Sequence, residues 1–230
     1  MPIIDDISFY LDKNEFVTLI GPSGCGKSTI FNMISGIVPV DEGRVLIDGE
    51  NCTGKPGYVS YMYQNDLLLP WKKVIDNAAL PLLIKGNSVK EARGKVAPYF
   101  ELFGIKGFEY KYPFQLSGGM RQRAALLRTY MFSSDIMLLD EPFGGLDAIT
   151  RSKMQEWLLQ IIDKIKASVL FITHDIEEAV YLSDRIYILS ERPANIREEI
   201  SIVLPRPRER EIVTSTKFNK IKRYILHNLS

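Results

Sequence analysis

The sequence predicts an α/β fold, in which a parallel β-sheet forms the core and a smaller helical subdomain is inserted into it. Three apolar runs, EFVTLI (15–20), IMLLD (136–140) and VLFITHD (169–175), are typical of buried strands. Their apolar residues are mostly consecutive rather than alternating, which indicates strands covered by helices on both faces. Residues 65–135 have the spacing of helices instead. Open sheets of this kind bind ligands at the carboxyl ends of their strands, so the functional residues are expected there.

Composition excludes several classes of protein. The net charge of +1 provides no general electrostatic reason to expect a nucleic-acid partner. No apolar run reaches the roughly 18 residues that suggest a membrane span. The two cysteines, Cys25 and Cys52, fit a reducing compartment better than a disulfide framework.

The first strand is followed by GPSGCGKST, residues 21–29, which matches the Walker A pattern G-x-x-x-x-G-K-S/T. Its glycines let several backbone N–H groups point at a phosphate, and the helix that follows adds its positive N-terminal end. Lys27 would contact the β- and γ-phosphates, and the Ser28 hydroxyl would bind Mg²⁺. A glycine-rich turn with a chance lysine is the alternative, but the flanking strand and helix disfavour it. The pattern predicts the core of a P-loop NTPase, and the predicted ATP-binding residues of this loop are Gly21, Pro22, Ser23, Gly24, Cys25, Gly26, Lys27, Ser28 and Thr29.

The other strand ends supply the remaining chemistry. Asp140 ends one strand and is expected to assist the metal, and Glu141 follows where Pro142 forces the chain out of the sheet, so it can act as general base for water. His174 is expected to contact the γ-phosphate. Gln64, at the end of GYVSYMYQ, is expected to orient water or bind Mg²⁺. The alternatives are an exposed acidic strand end, a structural histidine and a chance glutamine.

A second anion site is predicted at QLSGGMRQR, residues 115–123, because Ser117, Gly118 and Gly119 directly precede a helix. The chain has a single Walker A motif. Two copies packed head to tail would let each lend this segment to the ATP held by the other.

Together these motifs resemble those of the ATP-binding subunit of ABC transporters, over residues 1 to about 204. The matching motifs are GPSGCGKST (Walker A), Gln64 (Q-loop), LSGGMRQR (signature), IMLLDEP (Walker B), GGLD (D-loop) and THD (switch histidine). NDLLLPWKKVIDNAALPL, THDIEEAVYLSDRIYILSERPANI and LPRPRER are more narrowly similar to the importers of nitrate, sulfonate, taurine and pyrimidine precursors.

The resemblance implies a RecA-like core and ATP hydrolysis with Mg²⁺. Ser117–Gly119 would act on the partner's ATP, and Asp147 would couple the two sites. It further implies two transmembrane permease subunits, an extracytoplasmic substrate-binding protein and a peripheral location on the cytoplasmic face of the membrane. Trp71, in LLLPWKK, is the expected contact to the permease, and simple packing within the helical subdomain is the alternative for any residue of this stretch. A soluble clamp ATPase of DNA repair or translation is the alternative, but we see no coiled-coil insertion, second cassette or basic face.

The expected division is a cassette over 1–204, with its nucleotide-binding core at 1–64 and 136–204 and a helical subdomain at 65–135, followed by a basic tail at 205–230. The tail has seven Lys or Arg residues against two Glu. After LPRPR it is expected to form an amphipathic helix, with Ile212, Phe218, Ile221 and Ile225 as packing residues, and this helix is expected either to pack on the core or to approach anionic lipid. Only 20 residues precede Gly21, and relatives carry an adenine-stacking aromatic further upstream. Neither Phe9 nor Tyr10 can be assigned that role, so weakened ATP binding is expected.

Overall fold

A computed structural model describes residues 2–132 and 135–229 of the chain. The strands are β1 (Phe16–Ile20), β2 (Leu46–Ile47), β3 (Glu50–Asn51), β4 (Ser60–Met62), β5 (Ile136–Asp140), β6 (Ser168–Ile172), β7 (Arg185–Leu189) and β8 (Ile196–Ser201). The helices are α1 (Lys27–Ile34), α2 (Val74–Ile84), α3 (Val89–Val96), α4 (Tyr99–Leu102), α5 (Gly118–Phe132), α6 (Ala148–Ile165), α7 (Ile176–Leu182) and α8 (Thr216–Leu229). Within the described ranges, no helix combines the length and the hydropathy that crossing a bilayer requires.

Six strands form one sheet in the order β4-β5-β6-β1-β7-β8. The first five of these are parallel, and β8 closes the edge antiparallel to β7. The short β2 and β3 form a separate antiparallel pair. The predicted α/β class with a parallel sheet is confirmed. The order brings the carboxyl ends of β4, β5, β6 and β1 to one continuous edge.

Both faces of the sheet are covered, and β1 shows this within five residues. All five are buried. Phe16 and Ile20 belong to the larger core, which takes side chains from α2, α3 and α5–α8. Val17 and Leu19 belong to the opposite core, where Phe31 of α1 packs. This two-sided burial explains the continuous apolar runs, and it leaves polar side chains to the loops at the strand ends.

Helix α5 is tied to the loop that follows β4. The Arg128 guanidinium donates to the backbone carbonyl oxygens of Asp66, at 2.6 Å, and Leu67, at 2.7 Å. Arg121 Nε donates to the Asp66 carboxylate at 3.3 Å. The segment after Gln64 is therefore held against the helix that begins at Gly118.

The C-terminal tail packs on the rest of the chain. Its helix begins at Thr216, after a short 3-10 turn at Arg210–Thr214, which is later than the sequence pattern alone would place it. Phe218 and Ile225, two of the expected packing residues, are fully buried in the larger core. The tail is therefore anchored by apolar contacts as well as by its charges.

We predict that Phe218→Ala lowers the free energy of unfolding by about 3–5 kcal/mol, because it removes a fully buried ring and leaves a cavity beneath α8. Urea denaturation followed by circular dichroism measures the change. Leu226→Ala, an exposed position on the same helix, is the control and should change stability by less than about 0.5 kcal/mol. Equal effects at the two positions would contradict the burial of this helix.

Candidate functional site

The Walker A loop lies between β1 and α1, as predicted. Ser23 and Gly24 are exposed at its tip. Gly24 and Gly26 have φ angles of 77° and 122°, which side chains rarely adopt. At Gly26 a Cβ would also lie 3.0 Å from Ile3 Cγ2. Helix α1 starts at the next residue, so the loop presents its amides and the helix terminus to the same point.

Lys27 is folded back onto this loop. Its ammonium donates to the carbonyl oxygens of Gly21, at 2.8 Å, and Pro22, at 2.9 Å. A longer contact of 3.9 Å joins the same nitrogen to Cys25 Sγ. An ammonium has three donors, and a thiol is a weak acceptor. The two carbonyls therefore hold the loop in shape, and the donor that faces sulfur is the easiest one to transfer to a phosphate.

Asp140 lies at the end of β5, and the structure brings it together with Ser28. The Ser28 side chain lies beside the Asp140 carboxylate, and Tyr61 Oη donates to this carboxylate at 3.2 Å. Burial raises the pKa of Asp140, while the interactions with Ser28 and Tyr61 oppose the shift. Hydroxyl and carboxylate oxygens are ligands that Mg²⁺ prefers, so the pair fits this ion. Thr29 follows, half-buried, in the first turn of α1.

Glu141 lies between Gln64 and His174. Gln64 Nε2 donates to Glu141 Oε2 at 3.1 Å, and His174 Nδ1 lies 3.1 Å from Glu141 Oε1. The three residues follow β4, β5 and β6, which are adjacent in the sheet. Glu141 has a φ of 43°, in the left-handed region, and its N–H donates to the Ile172 carbonyl oxygen at 3.0 Å. A strained backbone conformation of this kind is typical of functional sites.

The signature segment forms the start of α5. Ser117 is exposed, and its hydroxyl accepts a long hydrogen bond of 3.4 Å from the Met120 N–H. Gly118 is the first residue of the helix. Gly119 is buried, and a Cβ there would lie 3.3 Å from Thr150 Cγ2 on α6. The glycines thus let the start of α5 approach α6 closely and leave Ser117 accessible.

Asp147 caps α6. Its carboxylate accepts hydrogen bonds from the N–H groups of Ile149, at 3.1 Å, and Thr150, at 3.0 Å. The Thr150 side chain, together with these N–H groups, keeps the pKa of Asp147 below the usual value. The preceding residue, Leu146, lies close to Gly118, since a Cβ on that glycine would be 3.1 Å from Leu146 Cδ2. The D-loop and the signature segment of one chain are therefore neighbours.

The sequence patterns did not predict two polar residues that lie beside the site. Tyr61 contacts Asp140 from the neighbouring strand, and Thr173 donates to buried Glu178 directly beside His174. A tyrosine within an apolar strand is ordinarily assigned to the core. Its distance of three residues from Gln64 is the signal that was available.

A sequence profile of the family described as ABC transporter matches residues 4–144. This chain belongs to the ABC transporter family. An aliphatic sulfonates import ATP-binding protein of Bacillus cereus is 44% identical over 97% of this chain and 87% of its own length. A formylaminopyrimidine import ATP-binding protein of Halalkalibacterium halodurans is 41% identical over 95% of this chain and 85% of its own length. A nitrate import ATP-binding protein of Synechococcus elongatus is 42% identical, with coverage of 91% and 78%.

Solved structures of a bacterial ABC transporter cassette have the same fold. Its dimeric structure aligns with a TM-score of 0.73 and 28% identity, over 88% of this chain and 92% of that one. A dimeric post-hydrolysis state of that cassette, bound to ADP and phosphate, matches with the same values. The predicted ABC cassette fold and the ATPase class of the family are confirmed. These relatives do not favour the alternative of a soluble clamp ATPase.

We predict that Gly119→Val destabilises this ABC cassette by about 1–3 kcal/mol, because a branched side chain would crowd the contact between α5 and α6. Chemical denaturation gives the change in unfolding free energy. Gly94→Ala is the control: Gly94 lies within α3 with open space around it, and the substitution should add about 0.5–1 kcal/mol of stability. If Gly119→Val leaves the unfolding free energy unchanged, α5 and α6 do not approach each other this closely.

Proposed function

We propose that this chain is the ATP-binding and hydrolysing subunit of a membrane importer, in which Mg-ATP closes a head-to-tail dimer and hydrolysis reopens it. The observation that carries the proposal is the position of Glu141. Its carboxylate contacts Gln64 and His174, and it directly follows Asp140, which binds Ser28 of the Walker A loop. A general base for water, a γ-phosphate contact and a metal site are thereby combined at one sheet edge.

Nucleotide binding is assigned to the Walker A loop. Its amides and the N-terminus of α1 receive the phosphates, and Lys27 exchanges its contact with Cys25 for one to a phosphate oxygen. Ser28, Asp140 and Gln64 would hold Mg²⁺, which supplies charge neutralisation for the β- and γ-phosphates when it is bound. Asp140 would thus contact the ion rather than the phosphates.

Water activation is assigned to Glu141. Its two oxygens accept from Gln64 and lie against His174, so the carboxylate is held in a defined orientation before substrate arrives. Gln64 orients the attacking water. The second ring nitrogen of His174 remains for the γ-phosphate, on a side chain that is 66% exposed. Catalysis then depends mainly on positioning and on charge stabilisation.

The composite site is completed by a second copy of the chain. Ser117, Gly118 and Gly119 lie at the start of a 15-residue helix, and Ser117 is exposed. This segment is assigned to the ATP held by the partner, because the helix terminus favours an anion. Asp147 lies beside this segment in the same chain, and we assign to it the coupling of the two ATP sites of the dimer. The dimeric cassette structures support this arrangement.

The proposed membrane partners are two permease subunits, served by an extracytoplasmic binding protein, with this chain on the cytoplasmic face. The import ATP-binding proteins that it resembles support this assignment. Residues 65–135 would form the helical subdomain that receives the permease, between core segments 1–64 and 136–204. Trp71 is 71% exposed next to the Q-loop and is the proposed contact.

We predict that Glu141→Gln binds Mg-ATP but hydrolyses it roughly 100- to 10,000-fold more slowly, since an amide cannot accept the proton from water. Steady-state phosphate release measures the rate. Light scattering of the variant should show that its mass doubles on addition of Mg-ATP. Glu101→Gln, at a surface carboxylate, is the control and should hydrolyse ATP at the wild-type rate. Wild-type hydrolysis by Glu141→Gln would exclude the assigned base.

The use of the partner's signature segment is tested by mixing two inactive variants. Lys27→Ala removes the phosphate contact and Ser117→Arg blocks the signature segment, so each alone should be inactive. In a mixed dimer one site carries both changes and the other carries neither. Equal mixing should therefore restore about a quarter of the wild-type number of intact sites, with a matching ATPase rate. No recovery, in mixtures shown to exchange subunits, would contradict two composite sites that hydrolyse ATP independently.

A further inference from the structure

A buried polar network lies directly behind His174, and the proposed reaction leaves it without a role. Thr173 Oγ1 donates to Glu178 Oε2 at 2.6 Å and accepts from the Asp175 N–H at 3.0 Å. One hydroxyl therefore links the residues on both sides of His174 to a carboxylate on α7.

The network continues outward through Gln155 on α6. Gln155 Nε2 donates to Glu178 Oε1 at 2.9 Å, and its Oε1 accepts from Arg210 at 2.8 Å. A guanidinium and a backbone N–H can only donate, and a carboxylate accepts. The direction of every bond is therefore determined, from Arg210 through Gln155 to Glu178 at one end and from Asp175 through Thr173 to Glu178 at the other.

Arg210 belongs to the C-terminal tail, which makes further contacts to α7. Its guanidinium also donates to Glu177 Oε1 at 3.0 Å, and Lys222 Nζ of α8 donates to Glu177 Oε2 at 2.9 Å. The ring of Tyr181 lies 5.2 Å from the guanidinium carbon. The outer end of the network is thus held by two cations of the tail.

The burial of this network argues against a role limited to stability. Thr173, Gln155 and Glu178 are 1%, 4% and 5% exposed. Burial raises the pKa of Glu178, and the hydrogen bonds from Thr173 and Gln155 oppose the shift, with a smaller opposing contribution from the charge of Arg151. Apolar side chains of the same volume would fill such a place without this desolvation cost. What the polar network adds is a defined geometry at Thr173.

We propose that Thr173 and Glu178 are positioning residues for His174, and that the C-terminal tail sets the rate of ATP hydrolysis through Arg210. This inference rests on the proposed role of His174. The Thr173 hydroxyl holds both peptide segments that flank the histidine, and so maintains the 3.1 Å approach of Nδ1 to Glu141. If the tail is released, Gln155 loses the hydrogen bond from Arg210 that orients it. The hydrogen bond from Gln155 to Glu178 is then weakened, and Glu178 no longer holds the Thr173 hydroxyl in a fixed position.

The first experiment compares Thr173→Val with Thr173→Ser in steady-state ATP hydrolysis. Valine keeps the shape and removes the hydroxyl, so kcat should fall roughly 10- to 100-fold while KM for ATP stays within about twofold. Serine keeps the hydroxyl and should restore kcat to within about threefold of wild type. A loss of thermal stability with an unchanged kcat for Thr173→Val would overturn the proposal, since a merely structural residue behaves in that way.

The second experiment tests the tail and does not depend on a buried substitution. Arg210→Ala removes a half-buried donor and should lower kcat roughly 3- to 10-fold, again with KM unchanged. The control is Arg223→Ala, an exposed position on α8, which should hydrolyse ATP at the wild-type rate. Equal rates for Arg210→Ala and Arg223→Ala would overturn the part of the proposal that concerns the tail.

Failure of this inference is distinguishable from failure of the proposed function. A wild-type chain that does not hydrolyse ATP would overturn the proposed function itself, and His174→Ala with the wild-type rate would overturn the proposed role of His174. If wild type is active and His174→Ala is impaired, then an unimpaired Thr173→Val overturns the positioning role alone. Impaired Thr173→Val and Arg210→Ala, with rescue by Thr173→Ser, support the whole network.

Discussion

The order of β4, β5 and β6 in the sheet is the constraint on which the site depends. Gln64, Glu141 and His174 follow these three strands, and their side chains meet within hydrogen-bonding distance only because the strands are parallel neighbours. An antiparallel strand among them would send one residue to the far edge of the sheet. Parallel pairing in turn requires helices on both faces, and the two cores supply them. The chemistry at the edge therefore depends on apolar burial far from it.

The residues to which we assign the chemistry are also the ones with a strained or desolvated position in the fold. Glu141 adopts a left-handed backbone conformation, and Lys27 donates two hydrogen bonds to carbonyl oxygens of its own loop. Asp140 keeps its carboxylate against Ser28 despite burial. The backbone conformation of Glu141 and the burial of Asp140 are unfavourable for folding, and they become useful when phosphates and a cation bind. The surrounding sheet and helices are stable enough to maintain that geometry in advance.

Sequence patterns identified the residues at the edge of the sheet but not the ones that hold them. The Walker A loop, Asp140 and Glu141 were predictable because apolar runs locate strand ends and the glycines locate the loop. Tyr61, Thr173 and Glu178 were not, because their partners are distant along the chain or lie on another element. The tail illustrates the same limit: its apolar spacing predicted Phe218 and Ile225 as packing residues, whereas the contact of Arg210 with Gln155 depends on how α6 and α7 pack.

The two halves of the proposed composite site are connected within one chain through α5. At its start, Gly119 meets α6, whose cap is Asp147. Farther along, the Arg128 guanidinium holds the segment just after Gln64 by hydrogen bonds to its backbone carbonyl oxygens. In the proposed dimer, a change at Gln64 would therefore be transmitted through Arg128 to the helix that begins just after Ser117. Since both chains would be built alike, ATP binding at one site would affect the geometry of the other, and the two sites would close together.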